Sequence, residues 1–139
     1  SKAGEFVYDH PFLWGSKRTG PDLHRVGSKY ADSWHFRHML TPGDVSTGSI
    51  MPAYPWLYDQ VINKERTAEK ISAMRTIGVP YADGYEELAN ADLDKQANSI
   101  AEALKMEGYE TPSDAEIVAL IAYLQRLGKD IKSEKVATN

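Results

Sequence analysis

The sequence predicts an all-α domain, on three observations. Apolar residues recur at helical spacing in three segments of the C-terminal two-thirds, glycine and proline punctuate the ends of those segments, and strand patterning is scarce. The chain has 139 residues, 42% of them hydrophobic, which is enough for one domain with a real core and too short for two comfortable ones. Twenty acids against sixteen bases leave a net charge of −4, so no basic stripe suited to nucleic acid is expected. No apolar run approaches the roughly 18 residues of a membrane span, and no signal peptide is recognised. The opening Ser-Lys-Ala-Gly-Glu fits a processed or engineered terminus. Without cysteine the chain has no disulfide, no thiolate metal site and no thiol nucleophile.

In chain order, Phe6 to Trp56 is a long irregular segment rich in glycine, proline and aromatic residues, and it holds all four histidines. One helix is predicted in it, about Asp32 to Leu40, closed by Pro42. In the stretch SIMPAYPWL, Pro52 and Pro55 push Met51 and Tyr54 out of the helical region, so a rigid loop that presents its side chains is expected instead of a helix. From Thr67 onward, Ala68, Ile71, Met74 and Ile77 trace a helix that Gly78 and Pro80 stop. A second helix is predicted from about Asn90, with Leu93, Ala97, Ile100, Ala101 and Leu104 on one face and Gly108 at its end. The last opens on a capping box, Ser113 with Glu116, carries the stripe Ile117, Leu120, Ile121, Leu124 and Leu127, and stops at Gly128. The predicted organisation is one domain over residues 1–129 and a polar tail over 130–139.

A small helical domain seldom needs so elaborate an irregular segment for packing alone, and long ordered loops tend to carry function. Three features bear on it. Lys17-Arg18-Thr19-Gly20-Pro21-Asp22-Leu23 is a basic pair leading into a Gly-Pro turn and an apolar anchor. Tyr30 and Trp34, four apart, share a face at the start of the first helix. Met51 sits on the proline-braced loop, where its thioether is a soft ligand suited to haem iron or copper, although a loop methionine by itself also reads as core filler. His35 and His38, at i and i+3, could share zinc or nickel, but without a third ligand at suitable spacing they read better as two partly exposed histidines. His10 and His24 read as hydrogen-bonded loop residues, and Ser16 and Ser49 lack the G-x-S-x-G context of a hydrolase. Glu86, Glu87, Asp92 and Asp94 read as solvated helix surface, and Gly15 and Gly20 match no phosphate-binding loop.

The run EFVYDHPFLWGSKRTGPDLHRVGSKYADSWHFRHML, followed by SIMPAYPWL, closely resembles the periplasmic domain of the mono-haem subunit of cbb3-type cytochrome c oxidases. The final helix, EIVALIAYLQRLG, is similar more loosely to the C-terminal helix of a class I cytochrome c, and Tyr58 to Glu110 carries no diagnostic pattern. The resemblance implies a class I cytochrome c-like helical domain in which Met51 is the distal haem ligand and Gly20-Pro21 packs on the proximal side. It also implies haem-edge and propionate contacts at Arg18, Tyr30 and Trp34, with Tyr54 and Trp56 sealing the haem edge. In that family a C-x-x-C-H motif binds haem c covalently and supplies the proximal histidine. This sequence has no such motif, so an incomplete, haem-less fragment of a membrane-anchored parent is expected, soluble by itself.

Two functions follow from the resemblance. The first is an electron-transfer subunit on the periplasmic side of a bacterial inner membrane. It takes electrons from a donor cytochrome c and, beside the dihaem subunit, passes them towards the catalytic subunit that reduces oxygen. The second is a structural or docking module of the same complex with no electron-transfer role. A C-x-x-C-H motif preceding Ser1 in the encoded protein would favour the first. With the attachment helix missing, the stripe of the last helix needs another cover, either the middle helices or a second copy of the chain in a homo-oligomer.

Overall fold

The computed structural model describes Gly20 and residues 22–129; Arg18, Pro21, His10 and the polar tail over 130–139 lie outside the described residues. The predicted apolar stripes become helices, in the order α1 (Asp32–Leu40), α2 (Pro42–Val45), α3 (Trp56–Asp59), α4 (Thr67–Thr76), α5 (Tyr85–Met106) and α6 (Glu116–Arg126). The all-α expectation is borne out: among the described residues the only extended pairing is an isolated antiparallel bridge between Val61 and Ala115. None of these helices is long and apolar enough to cross a membrane.

The core lies where α1, α5 and α6 meet. Phe36 of α1 packs with Ala97, Ile100 and Leu104 of α5 and with Ala115, Ile117, Val118 and Ile121 at α6. Leu104, Ile117, Val118 and Ile121 are 0% exposed, and burying each such side chain contributes about 1.5–3 kcal/mol. Met39, Leu57, Tyr58, Tyr109 and Ala122 close the margins of this cluster. The stripe of the last helix is therefore covered from within the chain, by α5 together with α1 and α3. Leu124 is buried and Leu120 and Leu127 are half-buried.

Three local expectations need correction. First, α6 does not start on the predicted capping box. Ala115 is its N-cap residue, without a side-chain cap. The Glu116 N–H donates to the Gln60 carbonyl at 2.9 Å and the Ile62 N–H to the Asp114 carbonyl at 2.9 Å, so a neighbouring strand-like segment satisfies the helix start in place of the Ser113 hydroxyl. Second, α5 begins five residues before the predicted Asn90, because its first turn is tied back to α4. Arg75 pairs with Glu86 at 2.6 Å and also with Asp83, across the turn made by Gly84 at φ +76°. Third, the proline-braced loop does end in helix. Pro55 has αR angles and acts as the N-cap of the single turn α3, so Trp56 and Leu57 are helical while the chain before Pro55 stays irregular.

Candidate functional site

The site is built on α1, and α1 is held in place by one side chain of α6. Gln125 accepts a hydrogen bond from the Ser28 N–H at 2.8 Å through Oε1, and its Nε2 donates to the Tyr30 carbonyl at 2.9 Å and to Asp32 Oδ1 at 2.6 Å. These bonds pin the chain leading into α1, including Ser28 in a left-handed conformation at φ 60°. Beside them the Gly27 N–H donates to the Leu127 carbonyl at 3.0 Å. A Cβ on Gly27 would lie 2.5 Å from that oxygen and 2.6 Å from the Gln125 carbonyl oxygen, so only glycine permits the approach. Sequence reasoning missed Gln125, because a glutamine on a helix carries no local signal of a partner 93 to 97 residues away.

Held this way, Tyr30, just before α1, stacks above Trp34 and His38 on one face of the helix, four residues per step. The Tyr30 and Trp34 rings stack with centroids 4.0 Å apart and 14° between planes, and Trp34 stacks on His38 at 4.6 Å and 13°. His35 meets Trp34 edge-on at 5.3 Å and Tyr30 at 6.0 Å. The structure thus joins Tyr30 and Trp34, as their spacing predicts, and adds both histidines to them. Lys29 Nζ lies 5.1 Å from the Tyr30 ring centroid.

Of the two histidines expected to be partly exposed, His38 is so and His35 is not. His35 is 2% exposed and His38 is half-buried. Neither His35 Nε2 nor His38 Nδ1 meets solvent or has a hydrogen-bond partner among the described residues. Burial pushes both imidazoles below the usual histidine range; at His35, Asp32 opposes the shift and His38 adds to it.

The methionine loop is tied to the other end of α1. The Tyr54 N–H donates to the Met39 carbonyl at 2.9 Å, and the Met51 N–H to Ser49 Oγ at 3.2 Å. Met51 is half-buried, while Ile50 beside it is 88% exposed. Tyr54 and Trp56 meet edge to face at 5.2 Å, with Trp56 48% exposed. Behind the loop, Tyr58 Oη donates to the Phe36 carbonyl at 2.5 Å, and burial pushes its phenol up to about 12. The candidate residues therefore form two groups, Tyr30 and Trp34 at the start of α1 and Met51, Tyr54 and Trp56 on the loop and the first residue of α3, with the Met39 carbonyl linking α1 to the loop. Gly20 is exposed, and a Cβ there would meet nothing.

Chemically, the sequence-predicted site offers the Met51 thioether, and α1 beside it carries two imidazole nitrogens without a partner among the described residues. No group of three or more His, Cys, Asp or Glu among them could hold a metal ion. An open cleft of about 740 Å³, lined by residues that include Asp32, Tyr85, Asp92, Gln125 and Arg126, contains none of the sequence-predicted site residues.

The model of one protein family, described as cytochrome c oxidase, mono-heme subunit/FixO, matches residues 1–131. No curated protein matches the chain.

Proposed function

Because this chain belongs to the family of mono-haem cytochrome c oxidase subunits, we propose that it is the electron-carrying domain of such a subunit. In this reading it faces the periplasm of a bacterial inner membrane, accepts electrons from a donor cytochrome c and passes them to the oxygen-reducing subunit. The family match over residues 1–131 carries the reading. Among the described residues the reading is supported by Met51, a soft donor on a braced loop, with Ile50 next to it leaving apolar surface exposed.

When bound, the haem supplies the one-electron couple. The chain's own contribution is position and environment. Pro52, Pro55, the Ser49 contact and the Tyr54–Met39 hydrogen bond limit where the Met51 thioether can move, which suits a ligand that must keep one distance in both oxidation states. A thioether favours the reduced metal relative to a second imidazole, and so raises the potential. Tyr54 and Trp56 would keep water from the haem edge, while Tyr30 and Trp34, with Arg18, would meet its periphery and carboxylates. Gly20 and Pro21 would pack on the opposite face. The two thioether bonds of a c-type haem need cysteines, which this sequence lacks, so covalent attachment would fall to residues outside it.

Met51→His in the haem-loaded full-length subunit tests the assignment. Expected are retained haem, loss of the weak sulfur-to-iron absorption near the red end of the spectrum, and a lower midpoint potential. An unchanged spectrum would move the ligand elsewhere, with Met39 as the next thioether.

A further inference from the structure

The open cleft of about 740 Å³ lies between α5 and α6, beside the chain that enters α1, and its charges are unlike those of the molecule around it. Lys95, Arg126 and Lys129 against Asp32 and Asp92 leave its lining one positive charge in excess, in a chain of net −4. Both carboxylates already have neighbours there. Asp32 Oδ1 accepts from Gln125 Nε2 at 2.6 Å, and Asp92 stands beside the Tyr85 phenol. Burial and Asp92 hold that phenol above its usual range while Arg126 pulls it the other way, so a cation of the α6 wall comes close to the α5 wall. Lys95 on α5 and Lys129 just past α6 are exposed, and neither forms an ion pair among the described residues. Two cations from separate elements thus line one concave surface with no carboxylate of the described chain on them.

We propose that this cleft binds a phosphate group, either free or carried on a lipid head, with Lys95 and Lys129 as its cationic contacts and Arg126 adding to the field. A phosphate spreads its charge over oxygens that point in different directions, so cations on separate walls contact it together. A carboxylate offers two oxygens in one plane and suits a single fork of donors better. Ser28 and Ser99, also on the lining, carry hydroxyls that donate to such an anion. The site goes beyond the electron-transfer reading and does not depend on it, since no residue of the Met51 loop lines the cleft.

The test is a 15N NMR titration of the chain with inorganic phosphate at constant ionic strength, with sodium acetate as the control, beside flotation with vesicles of phosphatidylglycerol in phosphatidylcholine. Expected are saturable shifts at the amides of the cleft with phosphate and none with acetate. Lys95→Ala and Lys129→Ala should each weaken binding about fivefold, the loss of one ion pair, whereas Lys105→Ala, outside the cleft, should leave it unchanged. Vesicle binding that falls in the same two variants assigns the phosphate to a lipid head. Phosphate saturation without vesicle binding assigns it to a free ligand. The proposal is overturned if neither probe binds, if acetate saturates the same amides equally, or if Lys95→Ala and Lys129→Ala bind as the wild type does.

Discussion

At the scale of single residues, the placement of α1 rests on polar contacts that no apolar pattern announces. Gln125 makes three hydrogen bonds to the chain entering α1, and Gly27 lets that chain approach the end of α6. Gln125→Ala is expected to cost about 0.5–1.5 kcal/mol, since it removes hydrogen bonds to an exposed backbone N–H and a part-buried backbone carbonyl that water can partly replace. Gly27→Ala is expected to be at least as harmful, because its Cβ would meet two backbone oxygens that cannot yield independently. Thermal unfolding checks both, and a Gln125→Ala variant as stable as wild type would refute the clamp. Tyr58→Phe isolates a simpler contact. It deletes the O–H donated to the Phe36 carbonyl and keeps the ring packed on Phe36 at 4.8 Å, so a loss of about 1 kcal/mol in denaturant unfolding is expected.

At the scale of elements, α5 and α6 share a buried seam, whereas α4 contributes no buried residue and, among the described elements, packs chiefly on α5. Its attachment depends on Arg75, whose guanidinium is held charged by Glu86 and Asp83. Glu86 in turn lies below the usual carboxylate range, first through its own backbone N–H and then through Arg75. Local opening follows the amount of buried contact, so amides of Thr67–Thr76 are expected to exchange with solvent well before those of Glu116–Arg126. Arg75→Ala should accelerate exchange in α4 further and leave α6 unchanged. Equal rates in α4 and α6 would show that the hairpin is part of the same cooperative unit. Below about pH 4.5 the Glu86 contribution should fade, since a carboxyl held low stabilises the fold only while the unfolded chain would also be ionised.

At the scale of the whole molecule, the buried histidines make stability depend on pH near neutrality. His35 and His38 titrate below the ordinary value of 6.5, so between that value and their folded ones the unfolded chain binds more protons than the folded chain. Stability should therefore be full above about pH 6.5 and decline as the pH falls below it. Replacing His35 by Gln should flatten that decline, which urea unfolding across the range would measure. A wild-type curve already flat between neutrality and pH 5 would contradict the burial of these rings.

What the sequence determined by itself was whatever depends on neighbours along the chain. The bounds of α1, the start of α4 and the buried stripe of α6 follow from periodicity and from Pro and Gly stops, which act within a few residues. The Tyr30–Trp34 stack follows from spacing alone, and the family from two long motifs. The tertiary structure decided what depends on residues far apart. The early start of α5 is set by Arg75, the cap of α6 by the Gln60 carbonyl, and the entry to α1 by Gln125. It also decided that His35 is buried, because a histidine's i, i+3 spacing is the same on a wet face and on a dry one. The reason is common to all of these. A helical period records which face is apolar, but a hydrogen bond or a buried edge exists only once a second element has been brought against it.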